Sequence, residues 1–386
     1  MIFHATSVPS GRRRVLVDTV RTRLGFSESL VPASLRDDRR VRYLLGNQYR
    51  TLSYIVDWRE AWEASPDLDP VLVDVNDALA MARAPRQVRD ADLVVVLHSA
   101  AGDNLRRIRR LGPALQRRRA PLLLFFGNEY MGMTEKIGFA RSVGAEFIGS
   151  QLQLESARWL YAESEATVLA MPQALNPRVY RQLGGPRDTD IGFRGDLYDQ
   201  AYALGDVERI SILREVKARG PELGLTIDIE YGRVERQAWN KLLNGWLGIT
   251  GAESGTYFLE RDDDTRNRVI EFLRLQPTAE WAEVYARFFE GRPVEHSGKA
   301  ISSRHFEALG TETVQVLVEG FYNGILEPDL HYLAVRRELS NLEEVLRRFS
   351  DQALRIEIAR RGRELALSAH TYTHRVRSAV EAVLGR

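Results

Sequence analysis

The chain has 386 residues, 44% of them hydrophobic and 28% charged, which suits two or three folded domains and argues against intrinsic disorder. Its 54 Lys and Arg against 53 Asp and Glu leave a net charge of +1, too small a basic excess for a dedicated nucleic-acid binder. Cysteine is absent, which excludes disulfide scaffolds, Cys-ligated zinc, iron–sulfur clusters and cysteine nucleophiles. Residues 1–40 are arginine-rich and weakly patterned, and read as an N-terminal extension with a short helix near Leu16–Leu24. From Val41 onward, short apolar runs alternate with helical patterns. Val41–Leu45 ends at Gly46-Asn47, Val71–Val75 at Asn76-Asp77 and Leu93–Leu97 at His98-Ser99. Leu122–Phe126 ends at Gly127-Asn128-Glu129, Ala145–Ile148 at Gly149-Ser150, and Thr167–Ala170 at Met171-Pro172. Continuous apolar strands separated by helices predict a parallel sheet covered on both faces, a doubly wound α/β domain over residues 41–175.

Ala174-Leu175-Asn176-Pro177 predicts a crossover, and Gly184-Gly185-Pro186-Arg187-Asp188 a linker, so 176–189 separates two units. The second unit, 190–369, opens with a strand at Asp190–Gly195 and a helix near Val207–Ala218. Strands follow at Leu225–Glu230, Leu247–Thr250, Thr313–Val318 and His331–Val335. Residues 260–296 are charged and helical, and read as an insertion. Amphipathic helices at Leu342–Phe349 and Ala353–Ser368 precede a closing helix, His374–Leu384. The longest apolar strings are strand-sized, well short of the ~20 residues of a membrane span, and the N-terminus lacks the apolar core of a signal peptide. A cytoplasmic location is therefore expected.

Open α/β sheets bind ligands at the carboxyl ends of their strands. That edge collects Asn47, Asp77, His98, Asn128, Glu129 and Gln151 in the first unit. Asn, Asp and Gly also make good turns, so each of these positions has a structural explanation as well. His98 is a candidate general base on an acceptor hydroxyl because histidine titrates near neutrality; Glu129 is the alternative. In the second unit, Ser302-Ser303-Arg304-His305-Phe306-Glu307 places an acid near a helix start, with Lys299 and Arg304 as nearby cations. Such a carboxylate accepts hydrogen bonds from sugar hydroxyls, while the helix terminus and cations hold a diphosphate. The plainer explanation is a first-turn Glu that stabilises the helix dipole. Glu253 and Ser254, between Gly251 and Gly255, are a second candidate, since flanking glycines let a backbone approach a ligand.

His370 and His374 have metal-ligand spacing but no acidic partner, and no metal site is assigned. The arginines at 106, 107, 109, 110 and 117–119, patterned with Leu105, Ile108, Leu111 and Leu115, predict one basic amphipathic helix. It is either a solvated face or a peripheral contact with anionic lipid.

The order of motifs in the second unit resembles the C-terminal half of GT-B glycosyltransferases. Those motifs are Phe193-Arg194-Gly195, Arg304-x-Phe306-Glu307-Ala308, Asn341–Val345, Arg361-Gly362-Arg363 and His370-Thr371-Tyr372-Thr373-His374-Arg375. The branch it resembles most is the group 1-like one related to sporulation-associated, CgeB-type enzymes. The resemblance covers about 190–386; over 41–175 it is architectural. It implies two Rossmann-like domains facing across a cleft, with residues 370–386 crossing back onto the first. It also implies a hexosyltransferase-like activity on a nucleotide-sugar donor, with no further cofactor. The acceptor, whether small molecule, glycan or lipid-linked, is left open, and nucleic acid is not expected. By the resemblance, Glu307 sits at the donor and Glu253 and Ser254 lie near the nucleotide base and ribose. Arg194, Gly195, Lys299 and Arg304 complete the donor side. Many retaining relatives carry a second glutamate where this chain has Gln315, so Glu319 is the substitute candidate. No Asp-x-Asp ends a strand of the second unit, and metal-independent transfer is expected. A nucleotide-sugar epimerase or hydrolase on the same fold, and a non-catalytic sugar-nucleotide binding protein, are the alternatives.

Overall fold

Strands such as Val94–Val96 (β3) and Leu122–Phe125 (β4) bury every residue, so both faces of their sheet must be covered by helices. The computed structural model describes residues 1–4, 52–102, 105–197 and 203–385. The first sheet has six strands, all pairs parallel, in the order β2-β1-β3-β4-β5-β6. Here β1 is Ile2–His4, β2 Leu72–Asp74, β5 Phe147–Ser150 and β6 Thr167–Ala170. The strand at the chain start corrects the reading of residues 1–40 as an extension. Ile2–His4 lies inside the sheet, with Phe3 opposite Val73 on one side and Val96 on the other. Three apolar-leaning residues ahead of an arginine-rich stretch are too short a signal for periodicity to find. The expected strand at Val41–Leu45, the turn at Asn47 and the helix near Leu16–Leu24 lie outside the described residues.

The second sheet has five strands, also parallel, in the order β11-β10-β9-β7-β8. They are β7 Thr189–Gly195, β8 Ile227–Tyr231, β9 Trp246–Gly251, β10 Val314–Val318 and β11 Leu333–Val335. Two separate parallel sheets facing across a cleft make the GT-B architecture. Gln315, at the position of the resembling enzymes' second glutamate, stands mid-strand in β10 and is fully buried.

Four helices matter for the site: α1 (Ser53–Glu63), α2 (Glu208–Arg219), α3 (Arg236–Gly245) and α4 (Ser303–Gly310). The insertion folds as two helices, Asp264–Leu275 and Trp281–Phe288, around a small core of its own that includes Phe258, Val269, Phe272 and Phe289. The last helix, α5 (Tyr372–Leu384), buries Tyr372, Val376, Ala379 and Val380 against Trp58, Trp62 and Val95 of the first domain. Its entry lies beside the interdomain crossover: Leu175 N–H donates to His370 O at 2.9 Å, and Tyr372 N–H to Leu175 O at 3.1 Å. His374 closes a capping box with Thr371, and His370 Nδ1 meets Arg375 at 2.9 Å, so both histidines serve the turn into α5.

The arginine-rich segment is not one amphipathic helix. A 3-10 turn at Ile108–Leu111 passes into a five-residue helix, Gly112–Gln116, with Pro113 in its first turn. Arg118 turns inward and donates to the carbonyls of Leu115 and Val143, both at 2.6 Å, and Arg109 pairs with Glu135. Arg106, Arg107, Arg109, Arg110, Arg117 and Arg119 stay exposed, spread over the turn and the short helix instead of along one helix face. No described helix is long and apolar enough to cross a membrane.

Candidate active site

A cavity of about 250 Å³ opens between the carboxyl ends of the two sheets. Its second-domain wall is built around the start of α4. Ser302 caps this helix by donating its N–H to His305 Nδ1 at 3.0 Å, and Ser302, Ser303 and Arg304 all line the cavity. The first N–H groups of a helix have no intrahelical acceptor and carry partial positive charge, so this wall suits an anion. Burial holds the His305 imidazole neutral, down to about 3, which adds to the case for a capping rather than a charged role.

The described cavity lining includes five arginines, Arg194, Arg209, Arg233, Arg236 and Arg304, against three acids, Glu129, Asp196 and Glu307. All five arginines come from the second domain. Arg194, on β7, is held by Asp228 at 2.8 Å and Glu230 at 3.3 Å. Arg209, on α2, donates to Ser254 Oγ at 2.8 Å. Arg233 pairs with Asp196 at 2.8 Å. Arg304 lies over the Phe193 ring at 5.0 Å and passes close to Gly195, where a Cβ would come within 2.5 Å of its guanidinium. Gly195 is therefore glycine because Arg304 needs that space.

Glu307 lines the cavity but lies one turn inside α4 instead of opening it. Ser53 Oγ of the first domain donates to its Oε1 at 2.5 Å, and Trp239 Nε1 to its Oε2 at 2.6 Å. Burial raises its pKa, opposed by these two donors and by Arg304. Beneath it, Arg236 at the start of α3 reaches across the interface to Asp57 and, at 2.9 Å, to Glu60. Asn176 of the crossover donates to Asp57 at 2.7 Å. Burial pushes the Asp57 carboxyl up to about 7 despite the Arg236 charge. The two domains are thus joined at the cavity floor by a polar cluster.

Four expected site residues are placed elsewhere. His98 is buried among Tyr54, Trp58 and Phe125, with ring centroids 5.0–6.0 Å away, and is not part of the described cavity lining. Burial holds its pKa down to about 3, so it is a neutral core imidazole and not a base at the cavity. Lys299 is buried and neutralised by Asp206 at 2.7 Å and Glu208 at 3.2 Å, away from the cavity wall that a phosphate would meet. The Glu253 carboxylate turns to the N–H groups of Tyr322, at 2.7 Å, and Phe321, at 3.4 Å, leaving Ser254 and Gly255 on the cavity wall. Glu319 is exposed after β10 and outside the described lining.

Glu129 does reach the cavity. Its carboxylate accepts from Ser150 Oγ at 2.6 Å, Tyr161 Oη at 2.8 Å and Gln151 N–H at 2.8 Å. Burial raises its pKa against those three donors. With its oxygens so occupied, Glu129 fastens the end of β5 and so positions Gln151.

Arg209, Arg233, Arg236, Asp57, Trp239 and Ser53 were not singled out from the sequence. Only Arg236 had a readable signal, as a cation at the start of a helical pattern, and nothing in sequence connects it to residues more than 170 positions earlier.

Residues 249–381 match a family model described as glycosyl transferase-like. The match lies within the second domain and the closing helix. It runs from β9 through α4 to α5 and so contains Ser254, the start of α4 and Glu307. No curated protein matches the chain in sequence. Among solved structures, Anabaena HepE in complex with UDP-glucose is similar at 10% identity and a TM-score of 0.47, over 100% of this chain and 99% of that one. A glycosyltransferase of Rickettsia africae is similar at 9% identity and 0.47, over 82% and 85%. A trehalose-phosphate synthase (UDP-forming) of Burkholderia vietnamiensis is similar at 14% identity and 0.40, over 98% and 96%.

Proposed function

We propose that this protein transfers a glycosyl group from a nucleotide-activated sugar to an acceptor, with the donor on the second-domain wall and the acceptor on the first. The observation that carries the reading is the start of α4. A helix N-terminus, Ser302, Ser303 and Arg304 face a cavity between two Rossmann-like domains, inside the segment that matches the glycosyl transferase-like family. A nucleoside diphosphate brings its charge before reaction and gains more as the glycosidic bond breaks. Fixed donors that point at that charge stabilise the leaving group most in the transition state. Arg304 and the helix N–H groups are such donors, and Arg209, beside Ser254 on the same wall, enlarges the positive field. Glu307 lines the cavity with its oxygens already accepting from Ser53 and Trp239, so what it offers the donor sugar is negative charge that stabilises positive charge developing at the anomeric carbon.

In this reading the leaving group is stabilised by arginine and the helix terminus, and transfer needs no divalent metal. The test is a thermal-shift series with nucleoside diphosphates and nucleotide sugars, followed by an assay of diphosphate release with and without EDTA. A matched nucleotide at 100 times its dissociation constant raises apparent stability by about 2.7 kcal/mol. Release that persists in EDTA and requires an acceptor is the expected result. Loss on chelation with recovery on added manganese or magnesium would refute metal independence. Acceptor-free consumption of the donor would point to a hydrolase or epimerase instead.

A further inference from the structure

We propose that Gln151 donates a hydrogen bond to a hydroxyl of the acceptor, and that this acceptor is a saccharide. This rests on the glycosyltransferase reading given above and deepens it. The basis is a chain of hydrogen bonds that fixes which way one amide faces. Trp58 Nε1 donates to Gln173 Oε1 at 3.1 Å, and Tyr372 Oη to the same oxygen at 3.0 Å. An indole N–H can only donate, so the Gln173 atom facing it must be the oxygen. The NH₂ of Gln173 then faces Gln151, donating to Gln151 Oε1 at 2.7 Å. With its oxygen committed, Gln151 turns its own NH₂ the other way. Both glutamines line the cavity, and no bond from Gln151 Nε2 is made among the described residues.

The backbone of Gln151 is fixed as well. Its N–H donates to Glu129 at 2.8 Å, and its carbonyl accepts from Asn323 Nδ2 of the second domain at 3.0 Å. The result is a donor held at three points, at the carboxyl end of β5. Around it the first-domain wall presents the rings of Tyr54 and Tyr130 and the amide of Asn128. A sugar ring has apolar C–H faces and a rim of hydroxyls. Aromatic faces cover the first, and uncharged amide donors and acceptors match the second. Tyr372 belongs to the His-Thr-Tyr closing pattern, so through this relay the crossing helix sets the direction of an amide in the cleft.

The experiment uses the full chain. Nucleotide binding is read first by thermal shift, then diphosphate release is measured with neutral mono- and disaccharides, hexose phosphates and polyprenyl phosphate as acceptors. Saccharide-stimulated release supports the proposal. A nucleotide shift with release stimulated only by the phosphorylated acceptors, or by none, overturns the acceptor assignment while the donor reading survives. No shift with any nucleotide overturns both.

Two variants then test the residue. Gln151→Ala, at a half-buried side chain, should raise the saccharide KM by about three- to tenfold, the loss of one neutral hydrogen bond, with nucleotide affinity unchanged. Gln173→Glu offers only acceptors, so it takes a bond from the Gln151 NH₂ and turns the Gln151 oxygen to the cavity. It should reproduce the same KM defect, and the double variant should be no worse than Gln151→Ala. Additive losses, or equal losses in saccharide and nucleotide affinity, would overturn the relay. If Gln173→Glu fails to fold, Gln151→Ala still decides the acceptor contact.

Discussion

Glu307 can be tested by two substitutions that separate its charge from its hydrogen bonds. In Glu307→Gln, the amide oxygen faces the Trp239 indole N–H, because that group can only donate, and the NH₂ faces the Ser53 hydroxyl, which can accept. Both contacts survive. Burial raises the folded pKa of Glu307, so its ionised form is the costly one in the fold, and removing the charge should leave the unfolding midpoint unchanged or higher. If the carboxylate binds the donor, loss of a charged hydrogen bond should weaken donor affinity or turnover by about 1.5–3 kcal/mol, roughly 10- to 150-fold. Glu307→Ala behaves differently. It leaves the buried Trp239 N–H without its acceptor, at roughly 1–3 kcal/mol, and removes the link to Ser53 across the interface. For a domain of 150–250 residues each kcal/mol lowers the midpoint by about 2–4 °C. Calorimetric donor titration, steady-state turnover and thermal unfolding should therefore be run on both variants. Wild-type donor affinity and turnover in Glu307→Gln would remove the carboxylate from the donor site. An unchanged midpoint in Glu307→Ala would refute its role in joining the domains.

The Asp57 carboxyl, pushed up to about 7 from an ordinary value of 3.8, makes the interface pH-dependent. Because the folded pKa is raised, its contribution is fully present below about pH 4 and is lost as pH rises through about 7. The stability difference between wild type and Asp57→Asn should shift in favour of the variant across that window; a difference flat from pH 4 to 8 would contradict this. Gly195→Ala should displace the Arg304 guanidinium, since the added methyl would lie within 2.5 Å of it. Nucleotide affinity should fall by roughly tenfold or more with little change in the unfolding midpoint, and unaltered affinity would show that Arg304 does not touch the nucleotide.

Much of the fold was legible because fully buried parallel strands are short continuous apolar runs. Val94–Val96, Leu122–Phe125 and Val314–Val318 announce themselves locally, and so does the carboxyl edge at which Glu129 and Gln151 stand. Ile2–His4 was not legible, because three residues carry no period and their place beside Val73 and Val96 is set by pairing. The charged residues of the site divided in the same way. Sequence could propose Lys299 and Arg304 as phosphate cations with equal justice, since both precede or open the same helix. Only the packed structure shows Lys299 turned to Asp206 and Glu208, and Arg304 turned to the cavity. His98 likewise follows a strand at the productive edge, yet the rings of Trp58 and Phe125 close over it. Residue type and spacing determine which groups can carry charge or donate a bond. Which of them face the cleft depends on contacts between residues far apart in the chain, such as Ser53 with Glu307, 254 positions apart, and Gln173 with Tyr372, 199 apart, and those exist only once the two domains and the last helix have docked.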